Sequence, residues 1–114
     1  MIEVGGQSFR AVLRDNEAAR AFADRLPMTF SMEELNSNEK YAYMEEGLPM
    51  DSQNVGSVGG GDIMLFGSDC LVLFFESFQT SYSYTSIGYI EDADSFVNAL
   101  PAGTVEVTFS AVTD

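Results

Sequence analysis

Apolar and polar residues alternate along much of this chain, the pattern of half-buried strands. Ile2 and Val4 alternate with polar neighbours, Gly5-Gly6 follows, and Phe9, Ala11 and Leu13 resume the alternation. Two period-two runs around a Gly-Gly pair predict a β-hairpin, with strands over 2–5 and 7–14. At Asp15-Asn16 the period changes. Asn16 is a favourable N-cap, Glu17 suits the positive end of a helix, and Ala18, Ala19, Phe22, Ala23 and Leu26 form one apolar stripe at helical spacing. Arg20 and Asp24 are an i, i+4 pair on the outer side of that helix. Pro27 stops it by restricting Leu26 and lacking an amide donor.

Met28, Phe30 and Met32 alternate with Thr29 and Ser31, which predicts a strand with its apolar face inward. The polar stretch from Glu33 to Lys40 reads as a connection, and Tyr41 to Met44 as a short strand ended by Gly47-Leu48-Pro49. Residues 50–61, rich in Ser, Asn and Gly, read as a long surface loop with one turn. Asp62 to Phe66 and Leu71 to Glu76 are strands around Gly67-Ser68-Asp69; the second is nearly all apolar, so it is predicted to be central and covered on both faces. Thr80 to Ile90 is β-prone, Asp92 to Leu100 holds a short helix closed by Pro101, and Val105, Val107 and Phe109 mark a last strand.

The total is about eight strands and two helices. Strands this numerous in a short chain protect their edges by closing into a barrel or packing as two sheets. The 114 residues suit a single domain over 1–114, with no internal repeat.

Charge narrows the partners. Asp and Glu number 18 against five Lys and Arg, a formal net charge of -13. Nucleic-acid affinity is built from cations that neutralise phosphates, so nucleic acid is excluded as a partner, and an anionic membrane surface is disfavoured for the same reason. No apolar run approaches the roughly 18 residues of a membrane span. Met1-Ile2-Glu3-Val4 has neither a basic start nor a long apolar stretch, so a cytoplasmic protein is expected; a processed piece of a secreted protein would read the same. The plain consequence of the acidity is a solvated surface, the sharper one a basic partner or a cationic ligand.

Few residues here could carry catalysis. The single cysteine, Cys70, opens the apolar run Cys70-Leu71-Val72-Leu73-Phe74-Phe75, where a buried inert thiol is expected. A reactive thiol wants a cation beside it; the chain has no His, and no Lys or Arg after Lys40. One Cys without His does not make a tetrahedral zinc site. Glu33-Glu34, Glu45-Glu46 and Glu91-Asp92-Asp94 meet only part of a calcium pattern and read as solvated loops. The run Gly56 to Gly61 lacks the lysine of a phosphate loop and precedes Asp62, so it reads as a turn feeding a strand. No cofactor is expected.

The aromatic set Phe74, Phe75, Phe78, Tyr82, Tyr84 and Tyr89 is the most informative constellation. Such rings can simply be core and barrel surface; with hydroxyls among them they also suit a pocket for a small ligand or a peptide. Residues 77–84 follow the central strand and carry both rings and donors, and Gln79 is suited to contact an amide. The candidate ligand-binding residues are therefore Phe74, Phe78, Gln79, Tyr82 and Tyr84, with Phe30 and Met32 supplying an adaptable wall. Replacing Tyr84 and Phe74 together by Ala is expected to abolish binding and leave the fold.

The order of motifs carries a family resemblance. It comprises the opening hairpin with Leu13, Asp15-Asn16 with Ala18-Ala19, Leu26-Pro27, Gly61-Asp62-Ile63, Leu71-Val72-Leu73-Phe74-Phe75, and Ile87-Gly88-Tyr89-Ile90 before a short helix. Over nearly its whole length the chain resembles the cyclophilin-like domain family, small bacterial and archaeal proteins that share the barrel of the proline isomerases. The resemblance implies a closed or nearly closed eight-stranded β-barrel capped by two short helices. It does not imply an activity. True cyclophilins carry a Phe-His-Arg signature with a catalytic arginine, and a Trp and a His lining the proline pocket; this chain has no His, no Trp and no Arg after Arg25. Arg20 and Arg25 fall on the exposed helix face, and Arg10 and Arg14 lie opposite Phe9 and Leu13, towards solvent. The expectation is a barrel that binds a small apolar or peptide-like ligand without catalysis. A divergent peptidyl-prolyl isomerase and an acidic protein-interaction module are the alternatives, and oligomeric state stays open.

Overall fold

The computed structural model describes residues 1–111. The first strands are β1 (Ile2–Val4), β2 (Gln7–Phe9) and β3 (Ala11–Leu13), followed by helix α1 (Glu17–Asp24). Strands β4 (Met28–Leu35), β5 (Glu39–Tyr43), β6 (Gln53–Asn54), β7 (Ser57–Val58), β8 (Asp62–Phe66) and β9 (Cys70–Phe74) come next. The chain continues through β10 (Phe78–Gln79), β11 (Ser83–Ile90), α2 (Ala93–Ala99) and β12 (Val105–Phe109).

One antiparallel sheet runs in the order β2-β1-β12-β4-β5-β9-β8-β11-β3, with β6 added to β11. Its two ends are one continuous stretch of chain. The predicted strand over 7–14 is broken at Arg10: Gln7–Phe9 pairs with β1, whereas Ala11–Leu13 pairs with β11. A single stretch thus belongs to both edges, and the sheet wraps into a nearly closed barrel. The Arg10 carbonyl at the break accepts from Glu91 N at 3.0 Å. Closure requires a glycine at Gly88, which faces Leu13 in the register; a methyl there would overlap the Val12 carbonyl oxygen.

The stretch 33–40 is not the connection its polarity predicts. β4 runs on to Leu35, turns, and returns as β5 from Glu39. Asn36 and Ser37 both hold a φ of 55°, and Asn38 N donates to Leu35 O, a tight turn whose twist matches the strands. The loop over 50–61 carries two short strands, β6 and β7, and β7 pairs with β10 as a separate two-stranded flap.

Both helices begin as their caps dictate: Asn16 Oδ1 accepts from Ala19 N at 2.8 Å, and Asp92 Oδ1 accepts from Ser95 N. Each sends a phenylalanine into the main core. Phe22 meets Phe109 edge-on at 5.4 Å, and Phe96 meets Phe9 at 5.5 Å. The strands fill the remaining interior, with Ile2, Met32, Leu65, Leu71, Leu73 and Val107 fully buried. Lys40 takes an interior position as well and is 1% exposed. As expected, β9 is buried at all five positions. Leu71 and Leu73 face the main core, while Cys70, Val72 and Phe74 belong to a second apolar cluster on the outer face. No helix among the described residues is long and apolar enough to cross a membrane.

Candidate functional site

The outer face of the sheet carries a cleft that follows from strand register. Alternate residues of a strand share one face, so Glu39, Tyr41 and Tyr43 of β5 project together. Across the ladder Tyr41 pairs with Val72 and Tyr43 with Cys70; on the other side Phe66 of β8 pairs with Cys70. Tyr84 and Tyr82 stand beyond Phe66, with ring centroids 5.7 and 5.9 Å from it. Cys70 and Val72 therefore form a floor between two aromatic walls. The enclosed space is about 310 Å³, and Leu35, Asn36 and Glu39 close its remaining sides. Neighbouring strands lie about 4.8 Å apart, so walls on β5 and β8, with β9 between, stand roughly 10 Å apart.

The rim is open. Tyr43 is 68% exposed, Tyr82 63% and Phe66 45%. The rings contact one another edge-on or tilted: Tyr41 on Tyr43 at 6.0 Å, Phe74 on Tyr84 at 5.5 Å, Phe74 on Phe78 at 5.6 Å. The electrostatics are one-sided. No Lys or Arg lines the cleft. Glu39 is half-buried, no described side chain donates to its carboxylate, and burial raises its pKa. Burial first, then the charges of Glu39 and Asp69, push the Cys70 thiol up to about 11. Burial and then Glu39 raise the Tyr84 phenol. The Tyr41 hydroxyl donates to Glu33 Oε2 at 3.2 Å, and that bond raises its pKa.

Of the residues expected at the site, Tyr82 and Tyr84 line the cleft. Phe74 is 0% exposed and supports Tyr84 from beneath; Phe78, in strand β10 of the flap, packs on Phe74. Gln79 is exposed on β10, paired with Ser57, and is not in the cleft. Met32 is 0% exposed within the main core, so no ligand reaches it. Phe30 packs on Phe109 at 5.9 Å and borders a different, wide groove with Arg25 and Met28. Inward-facing strand positions belong to the barrel interior, which is why Phe30 and Met32 part from the others. Tyr41, Tyr43, Phe66, Cys70, Val72 and Glu39 also line the cleft, and their neighbourhood in sequence does not single them out. The signal for three of these lies in the Glu39, Tyr41, Tyr43 alternation, which the polar stretch from Glu33 to Lys40 obscures.

The four arginines lie elsewhere. Arg10 is exposed. Arg14 lies over the Tyr89 ring at 5.0 Å, Arg20 pairs with Asp15 at 2.7 Å, and Arg25 donates to the carbonyls of Glu46 and Gly47. Among the described residues no cluster of His, Cys, Asp and Glu is arranged to hold a metal ion. A second apolar hollow, of about 260 Å³, lies between α1 and the Ile2 and Phe109 strands; Ser110 is its one polar side chain, so little in it would orient a ligand.

Fold and site together define a small antiparallel barrel with an aromatic cleft on its outer wall. Residues 2–110 match the cyclophilin-like family, and the chain belongs to that family. No curated protein and no solved structure matches the chain significantly.

Proposed function

We propose that this chain is a binding barrel whose outer cleft takes a small ligand, or a peptide side chain, through contact with aromatic rings, without making or breaking bonds. The observation that carries this reading is the convergence of five rings, from Tyr41, Tyr43, Phe66, Tyr82 and Tyr84, on one space of about 310 Å³. Ligand sites are commonly concave, largely apolar and furnished with a few polar groups, at about 300–1,000 Å³. Three of these rings are exposed at the rim, where burying them on a ligand is favourable. The lining groups favour binding over turnover. The only thiol there has a pKa of about 11 and is protonated at neutral pH, and no guanidinium faces the floor.

Ligand-observed NMR with a panel of small neutral amides and aromatic fragments tests this. Hits are expected from the intact chain and are expected to vanish in a Tyr43→Ala, Tyr82→Ala double variant, which alters exposed rings only. Hits unchanged in that variant would remove the cleft from consideration. An isomerase assay on a short proline peptide, with a rate no faster than buffer, is the matching expectation.

A further inference from the structure

Glu39 is in an unusual position for a carboxylate. It is half-buried at the end of an aromatic cleft, beside Phe74 in the register, and no described side chain donates to it. All five cations of the chain are placed elsewhere. Lys40, its sequence neighbour, points to the opposite side of β5 and is held by Glu34 and two carbonyls. Glu39 is therefore the one charged side chain lining the cleft, in a chain of net charge -13. The negative faces of aromatic rings attract cations, most strongly where water is displaced.

Resting on the binding reading above, we propose that the occupant is the alkylated ammonium group of a small molecule, seated between the Tyr41–Tyr43 wall and the Phe66–Tyr82–Tyr84 wall, with Glu39 as its counter-charge. Dimensions agree. Phe66 on β8 stands two strand spacings from the β5 tyrosines, which places a cation midway between them about 5 Å from each side, inside the roughly 6 Å reach of a cation–π contact, with Tyr82 and Tyr84 behind Phe66. The floor of Val72 and the neutral Cys70 thiol suits methyl groups and offers no strong hydrogen-bond acceptor, which favours an alkylated nitrogen over a bare ammonium. The volume of about 310 Å³ is at the small end of ligand sites, fitting a compact head group. Glu39 also acts within the space it borders: its charge is felt at both Cys70 and Tyr84.

The test titrates the chain with choline and with 3,3-dimethylbutan-1-ol, its uncharged carbon counterpart, following backbone amide shifts at physiological ionic strength. Long-range attraction to the acidic surface is then screened beyond about 8 Å. Choline is expected to shift the amides of Cys70 and Val72, and to bind roughly tenfold or more tightly than the alcohol, the effect of two or three weak cation–π contacts. Glu39→Gln is expected to weaken choline severalfold and leave the alcohol unchanged. Equal affinity for both probes at the cleft would overturn the charge assignment and leave the binding reading standing. Shifts from neither probe would overturn the inference, and the neutral fragment panel would then decide the binding reading separately. Choline affinity unchanged by Glu39→Gln would remove Glu39 as the counter-charge.

Discussion

Lys40 Nζ lies 2.9 Å from Glu34 Oε1, across the hairpin of β4 and β5, and the lysine is buried while the glutamate is partly open to water. The same ammonium donates to the carbonyls of Pro101, at 2.8 Å, and Gly103, and lies over the Phe75 ring. Glu34 in turn accepts from Gly103 N at 3.2 Å. One side chain thus ties the β4–β5 hairpin to the segment between α2 and β12. Removing the ammonium leaves the Pro101 and Gly103 carbonyls without their donor, at about 1–3 kcal/mol for each that stays buried. Lys40→Met is expected to lose about that much in chemical denaturation, and Glu34→Gln less, because the Gln amide oxygen and both carbonyls can still accept from the ammonium. Equal losses, or none, would refute the arrangement.

Acid should act through Glu34. Its bonds to Lys40 and Gly103 hold its pKa below the usual carboxylate range in the folded chain. A depressed folded pKa contributes stability that is present above the unfolded pKa and lost as pH falls through the folded one. Thermal melts are expected to fall steadily on acidification below the carboxylate range, and Glu34→Gln to flatten that fall.

Glu39 has the opposite sign. Burial raises its folded pKa, so the native chain binds more protons than the unfolded chain between the two values. Stability therefore declines as pH rises through that window, and the cost is fully present at neutral pH. Glu39→Gln is expected to raise Tm at pH 7 and to have no effect at pH values well below the carboxylate range. A lower Tm at pH 7 would contradict the placement of this carboxylate.

The Cys70 thiol offers a chemical readout. A pKa of about 11, against 9.0 for an ordinary thiol, reduces its thiolate fraction about a hundredfold at neutral pH. Alkylation of native protein by iodoacetamide is expected to be at least that much slower than of protein unfolded in urea. Similar rates would mean that the cleft floor is open and polar.

Ring truncations should separate support from surface. Phe74 is fully buried, so Phe74→Ala is expected to cost about 3–5 kcal/mol and is unsuited as a binding test, contrary to what its place in the sequence implied. Tyr82→Ala, at an exposed position, is expected to change stability by about 0.5 kcal/mol or less. Urea midpoints for the two variants check the contrast.

The α1 helix, the last strand and the double burial of β9 were legible because each depends on local pattern: a cap and a 3.6 period, an alternation, an unbroken apolar run. The β4–β5 hairpin was not. Its turn is Asn36-Ser37, without the glycine that usually marks two adjacent positive φ values, and its strands carry Glu33, Glu34, Glu39 and Lys40. A buried lysine reads as a surface residue until its partners are known, and those partners lie at 101 and 103. The neighbourhood of Tyr82 and Tyr84 in sequence singles them out, and both line the cleft. Tyr41, Tyr43 and Phe66 were passed over because ladder register, not sequence proximity, places them opposite.

Alternation, caps and composition determined from sequence alone that this chain is strand-rich with two short helices, acidic, and without His or Trp. Those features arise from interactions within a few residues, or from simple counts. Tertiary structure decided where the barrel closes, through the break at Arg10 and the bare backbone of Gly88, and which rings meet around Cys70 and Val72. Both depend on pairing between strands far apart in the chain, and a shift of one residue in that register would turn every one of those rings to the other face.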